Sequence, residues 1–285
     1  MAAGTPSSFG SAGSFGGAGL SAQALNDVFA QRAAQAEAMG IDHEQVQEMV
    51  LGFRRLLMTY RFGIDEVMTK ITILREEFHH IHDYNPIEHV GSRLKSFDSI
   101  LAKATRRGID LTPQAVRDSM FDIAGVRVTC SFVSDIYRMR DLLVGQRDVT
   151  LLQEKDYIAD PKGNGYKSLH LIVSVPVFLS DRVEQVVVEI QLRTIAMDFW
   201  ASLEHKIYYK YERAIPVHLT DALTAAAAEA ATLDATMERI HTEVRAIAKS
   251  EAEAQQAEDS SLAPSEMAAT FLRSLSGLDG TQRGS

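Results

Sequence analysis

The segment Val183–Arg193 reads as a β-strand, whose side chains alternate between two faces with a period of two. Val186, Val188, Ile190 and Leu192 share one face and would enter a core. Glu189, Gln191 and Arg193 share the other, a row of carboxylate, amide and guanidinium. A second acid, Asp122, opens the segment Asp122-Ile123-Ala124-Gly125-Val126-Arg127-Val128 and stands among apolar residues. An acid in such company needs a partner or a metal. Two carboxylates from neighbouring strands would suit one Mg²⁺ held partly by substrate phosphates. The plainer alternatives are an exposed polar face for the Glu189 row and a structural Asp–Arg pair for Asp122. Asp122 and Arg127 are an odd number of positions apart, so one regular strand cannot present both on one face. Either Asp122 lies where the strand begins, or Gly125 takes a bulge that re-aims Arg127.

Cations that could meet phosphate are concentrated in two places. The first is Arg93, Lys95, Lys103, Arg106 and Arg107. Lys95, Ser99 and Lys103 follow one another at i, i+4 and share a face if this stretch is helical, while Arg93 points elsewhere. The second is Lys155–His170, where Gly163-Asn164-Gly165 makes a tight turn and Tyr166, Ser168 and His170 then share a strand face. A base can stack on the tyrosine ring, and Lys155, Lys162 and His170 can donate to phosphates. Taken singly, these segments also read as a solvated helix face and a surface hairpin. His79, His80, His82 and His89 have no nearby cysteine, so structural or solvated histidines outweigh a zinc site. Cys130, the one cysteine, lies in an apolar run and reads as a small core residue, not a nucleophile.

These side chains need a scaffold. Residues 1–20 are rich in Gly and Ser and read as a flexible tail. Helices are expected over 21–83: Ser21–Glu37 can begin one, and an apolar stripe of spacing three and four runs from His43 to His82. Gly63 is a candidate join within that stripe. Asn85-Pro86 breaks it. A second helical stretch is expected over Ile87–Arg107, stopped by Gly108, and Thr112-Pro113 starts a short helix. The period then changes. Strands are expected over Asp122–Val133, Val149–Ile158, Leu169–Phe178 and Val183–Arg193, with a helix over Ser134–Gly145 capped by Ser134. Helix returns over Thr194–Tyr211. The Ala-rich stretch within 212–250 places Leu223, Ala226, Ala230, Leu233, Met237 and Ile240 in a seam for a partner helix. Residues 251–285 read as a disordered tail. The predicted class is α+β: a mixed, mostly antiparallel sheet over 84–211, with flanking N- and C-terminal helices.

With 285 residues and 46% hydrophobic content, the chain can build one full-sized core. A formal net charge of −9 argues against a whole surface built for nucleic acid, so any phosphate site must concentrate its cations. A single cysteine suits a reducing compartment, and neither a membrane span nor a signal peptide is evident, so the cytoplasm is the expected location.

Together these segments resemble the synthetase domain of the RelA/SpoT family, and most closely its short members, the small alarmone synthetases. The resemblance rests on Asn85-Pro86-Ile87-Glu88 leading into Arg93-x-Lys95, on Asp122–Arg127, on Lys155–His170, and on Glu189-Ile190-Gln191-Leu192-Arg193-Thr194. Phe199-Trp200-Ala201-x-x-Glu204-His205 extends it, so that it covers about Tyr84–Tyr211. It implies a nucleotidyltransferase-like sheet flanked by helices. It also implies synthesis of (p)ppGpp, by transfer of pyrophosphate from ATP to the 3′-hydroxyl of GTP or GDP. By the same resemblance, Arg93 and Arg127 would sandwich the adenine of ATP, and Lys95, Ser99 and Lys103 would hold its phosphates. Asp122 would bind Mg²⁺, and Glu189 would bind Mg²⁺ or serve as base. Tyr166 would stack on guanine, Lys155, Lys162 and His170 would contact phosphates, and Gln191 and Arg193 would support the acceptor. A homotetramer and a synthesis-only protein without a hydrolase domain are further implications.

Three departures stand out. His89 and Gly91 replace the Phe and Thr with which some tetrameric members bind their product between subunits. Asp198 stands where similar synthetases often have Asn. Gln153-Glu154-Lys155-Asp156 keeps the family's lysine without its preceding arginine. Two rival readings fit the residues less well. A conventional nucleotidyltransferase presents Asp-x-Asp, whereas Ala124 follows Asp122 at that spacing. A regulatory homologue that binds nucleotides or single-stranded RNA would be expected to lose Asp122, Glu189 or Tyr166, and all three are present.

Overall fold

A computed structural model describes residues 30–31, 42–82, 84–210 and 216–260. The expected tail over 1–20, nearly all of Ser21–Glu37 and the chain beyond 260 lie outside the described residues. In order, the elements are α1 (His43–Ile81), β1 (Ile87–Leu94), α2 (Phe97–Arg107), α3 (Pro113–Ser119), β2 (Ala124–Cys130), α4 (Val133–Val144), β3 (Thr150–Asp156), β4 (Leu169–Phe178), β5 (Val183–Thr194), α5 (Ile195–Lys210) and α6 (Val217–Ser260). Contacts divide the chain into two units, Met1–Asp234 and Ala235–Ser285.

The first unit holds the five-stranded sheet, ordered β1-β2-β5-β4-β3. β2 and β5 are parallel, and the other neighbours are antiparallel. One face is apolar: Val126, Val128, Leu169, Leu171, Val173, Val188 and Leu192 are fully buried. Phe53, Leu57, Ile64 and Ile71 of α1 and Ile136, Met139 and Leu143 of α4 join them in one core. The sheet is thus covered on one face, and its polar rows are left for the other.

Local chemistry explains most boundaries. Asp42 accepts from the Gln45 amide at the start of α1. Ser96 accepts from the Ser99 amide at 3.3 Å to start α2, and Gly108, with φ 64°, ends it in the left-handed conformation. Thr112 caps α3, with Pro113 at its first position.

Several expectations need correction. Residues 87–107 are not one helix, because Ile87–Leu94 form an edge strand hydrogen-bonded to β2. Ile87, Val90 and Leu94 satisfy a helical spacing, but the open edge of β2 supplies a tertiary partner that local propensity cannot anticipate. Gly63 is no join, since α1 runs through it without a break. A Cβ there would stand 2.5 Å from Val186 Cγ1, so the glycine lets the helix press onto β5. Helix α4 begins at Val133 and is capped from Phe132, whose amide donates to the Asp135 carboxylate; Ser134 lies inside it. The strand expected over Asp122–Val133 is confined to Ala124–Cys130. Helix α6 continues to Ser260, past the expected boundary at Ser250.

The described part of the second unit is the helical run 235–260, which exposes Met237, Ile240, Val244 and Ile247. Among the described residues, no helix is long and apolar enough to cross a membrane.

Candidate active site

Register across the sheet gathers the polar side chains. In the parallel pair, Gly125 lies beside Glu189, Arg127 beside Gln191 and Thr129 beside Arg193. The antiparallel partners add Arg93 opposite Gly125 and His170 opposite Gln191, and Lys155 stands opposite His170. The β2 ladder is regular, so Gly125 takes no bulge. Asp122 instead precedes the strand, where alternation no longer binds it.

At the centre lies a relay of hydrogen bonds. His170 Nδ1 is 3.0 Å from Glu189 Oε1, and Nε2 is 2.8 Å from the Tyr166 hydroxyl. Gln191 donates to Glu189 Oε2 at 3.1 Å. Arg193 donates to the Tyr166 hydroxyl at 2.6 Å and to Gln191 Oε1 at 3.0 Å. For Glu189, burial would push the carboxyl up, but the hydrogen bond from His170 and the nearby positive charge of Arg93 oppose it, and it stays below its ordinary value. Burial pushes the His170 imidazole down, against the pull of Glu189. An ionised carboxylate can only accept, so a neutral His170 donates from Nδ1, and Nε2 then accepts from Tyr166. Both ring nitrogens are engaged inside the protein, which sets His170 closer to the acid than to a phosphate contact.

The second cluster surrounds Asp122. Its two oxygens accept from Lys95 Nζ at 2.8 Å and Lys103 Nζ at 2.6 Å. Lys95 precedes α2, and Lys103 comes from the helix itself, so the shared helix face expected for Lys95, Ser99 and Lys103 holds only for the last two. Burial would push the Asp122 carboxyl up; the two ammonium groups together hold it well below the usual carboxylate range. Burial lowers Lys95 despite the attraction of Asp122. Two ammonium groups gathered at one carboxylate are donors of the kind that phosphate oxygens accept from.

A third cluster is aromatic and cationic. Lys162 Nζ lies 4.5 Å from the Tyr157 ring centroid and 4.6 Å from that of Tyr166, and Arg193 Cζ lies 5.2 Å from the latter. Gly165, at φ 85°, turns the chain into Tyr166, and a Cβ there would meet Ala227 at 2.5 Å. Asn164 donates to Glu204 at 3.1 Å and holds the turn against α5.

Residues 92–214 match the family described as "Region found in RelA / SpoT proteins". GTP pyrophosphokinase YwaC of Bacillus subtilis (strain 168) is 48% identical over 201 residues, which are 70% of this chain and 96% of that protein. The chain belongs to the RelA/SpoT family. Small alarmone synthetase 1 from Bacillus subtilis, solved bound to its product pppGpp, superposes with a TM-score of 0.63 at 40% identity, covering 67% of this chain and 97% of that one. The same synthetase bound to AMPCPP gives a TM-score of 0.58 at 36% identity, over 68% and 97% of the two chains.

This RelA/SpoT chain has the mixed, mostly antiparallel sheet that the residue pattern predicts. Arg93, Arg127, Glu189, Gln191, Arg193 and His170 share one face of it; Asp122, Lys95 and Lys103 flank that face; Tyr166 and Lys162 stand at its β4 end. Sequence reasoning left two residues without a task. Asp198, in the first turn of α5, accepts from Arg127 at 2.8 Å and from Arg193 at 3.0 Å. Its unusual identity was the available signal. Tyr157 provides the second ring for Lys162, and its two-residue spacing from Lys155 could have placed it on the same face. For Mg²⁺ the donor chemistry fits: the carboxylates of Asp122 and Glu189 offer hard oxygen donors. No cluster of three or more His, Cys, Asp or Glu ligands occurs among the described residues, and a Mg²⁺ shared with substrate phosphates needs none.

Proposed function

We propose that this chain is a (p)ppGpp synthetase that moves pyrophosphate from ATP to the 3′-hydroxyl of GTP or GDP. The observation that carries the reading is the arrangement of three clusters around one sheet face. A partly buried, ionised Glu189 is joined through His170 to the Tyr166 platform, and the lysine pair gathers at the second acid, Asp122. The relatives named for this activity, and the neighbours bound to pppGpp and AMPCPP, support it.

The family resemblance gives each of those groups a part in the chemistry. Arg93 and Arg127 stack on adenine, while Lys95, Ser99 and Lys103 hold the ATP phosphates. Tyr166 stacks on guanine, with Lys155 and Lys162 turned to its phosphates and Gln191 and Arg193 supporting it. The 3′-oxygen bonds to the β-phosphorus, the bond from that phosphorus to the α,β-bridging oxygen breaks, and AMP leaves with that oxygen. Glu189 takes the hydroxyl proton, which requires an approach within about 3 Å. His170 and Gln191 hold the carboxylate for that approach. Mg²⁺, held by Asp122 and Glu189 with substrate phosphates, would neutralise charge on the transferred group. Most of the rate advantage comes from positioning and charge neutralisation, as in other phosphoryl transfers. We extend the reading to a cytoplasmic homotetramer. The regulatory or RNA-binding alternative is not favoured, because both acids and the aromatic platform are in place.

The test is incubation of purified protein with ATP, Mg²⁺ and GTP or GDP, followed by anion-exchange separation. AMP is expected in step with a more highly charged guanosine nucleotide, and Glu189→Gln should abolish both. A well-folded protein that yields neither product would sink the reading.

A further inference from the structure

Asp198 has no part in the chemistry above, yet one of its oxygens receives two guanidinium groups. Oδ1 lies 2.8 Å from Arg127 Nη1 and 3.0 Å from Arg193 Nη1. The side chains are withdrawn from solvent, with exposures of 15% for Arg127, 4% for Arg193 and 24% for Asp198. Parallel pairing of β2 with β5 forces the two cations onto one sheet face, where they repel. Burial pushes the Arg127 guanidinium down to about 10, Arg193 adds to the fall, and Asp198 opposes it. The position of the acid is itself built. Thr194 accepts from the Met197 amide at 3.1 Å and donates to Asp234, which fixes the first turn of α5 at the end of β5.

The arginines face different ways. In the proposed synthetase reading Arg127 belongs to the adenine side. Arg193 touches the Tyr166 hydroxyl and Gln191, on the guanine side. We infer that Asp198 is a positioning residue that couples the two nucleotide sites, holding Arg127 and Arg193 in one geometry so that filling either site preorders the other. This rests on the proposed synthetase reading. An amide at this position would keep an acceptor oxygen but lose the charge that balances two cations. Coupling through the bridge therefore depends on the carboxylate.

Calorimetry tests it directly. The affinities of a non-hydrolysable α,β-methylene ATP analogue and of GDP are measured separately and then with the other nucleotide saturating, in the wild type and in Asp198→Asn. In the wild type each nucleotide should tighten the other by about fivefold or more, by the same factor in both directions. In folded Asp198→Asn that factor should fall towards one. Should Asn prevent folding, Asp198→Ser takes its place and must show the same loss. Undiminished coupling in a folded variant overturns the inference, as does a wild type that makes product without coupling its substrates. A wild type that binds neither nucleotide and makes no product removes the synthetase reading, and the inference with it.

Discussion

Asp122, proposed above to take part in the chemistry, also has a structural task. Its carboxylate neutralises two lysines whose side chains are 3% and 9% exposed. Removing it leaves two like charges together in a poorly solvated place. Loss of one partner from a fully buried pair costs about 3–5 kcal/mol, and the 20% exposure of Asp122 reduces that figure. Asp122→Asn should therefore lower unfolding stability by about 2–3 kcal/mol in nucleotide-free protein at neutral pH, as read by urea titration. An unchanged midpoint would show that the lysines find water. Phosphates should partly restore the loss, because they provide the missing negative charge.

At the scale of elements, α1 and its packing against β5 are the most exposed to test. Alanine is a better helix former than glycine by about 1 kcal/mol, so Gly63→Ala would stabilise a free helix. Here the added methyl would meet Val186 Cγ1 at 2.5 Å and Val188 Cγ2 at 3.4 Å. Overpacking of a filled core costs about 1–3 kcal/mol, so the clash should win and the melting temperature should fall. Tyr60, on the same helix, is 2% exposed. Burial raises its hydroxyl from 10.0 to about 12. The folded state thus holds the proton more tightly, and its contribution is full below pH 10 and is lost as pH rises through 12. The wild type should lose on the order of 2–3 kcal/mol across that window from this group. Tyr60→Phe should flatten that part of the fall in pH-dependent unfolding curves. The helix α1 was legible from its apolar stripe, whereas the role of Gly63 was not, because the residue that it accommodates lies on a distant strand.

For the whole molecule, the remaining question is assembly. In the run 235–260, Met237, Ile240, Val244 and Ile247 follow spacings of three and four, with exposures of 43%, 45%, 58% and 58%. A helix gains most of its stability from burying such a stripe, and this one is presented to solvent within its own unit. The proposed homotetramer would cover it. Light scattering should return four times the chain mass of 31.4 kDa, and Ile240→Glu with Ile247→Glu should reduce the assembly. A wild-type monomer would exclude the tetramer.

The sequence by itself determined which side chains line the polar face of the sheet. Period-two alternation in β5 separated Glu189, Gln191 and Arg193 from the valine face. The caps at Ser96 and Thr112 and the stop at Gly108 were written in local residues, since each bonds or bends within a few positions of itself. The tertiary structure decided what depends on distant partners. It made Ile87–Leu94 a strand, because β2 needed an antiparallel neighbour. It settled the parity of Asp122 and Arg127 by starting β2 after the acid. It turned His170 to Glu189 and set Asp198 between two arginines. Those outcomes follow from register and packing between segments far apart in the chain, and no local pattern of residues encodes a distance across a sheet.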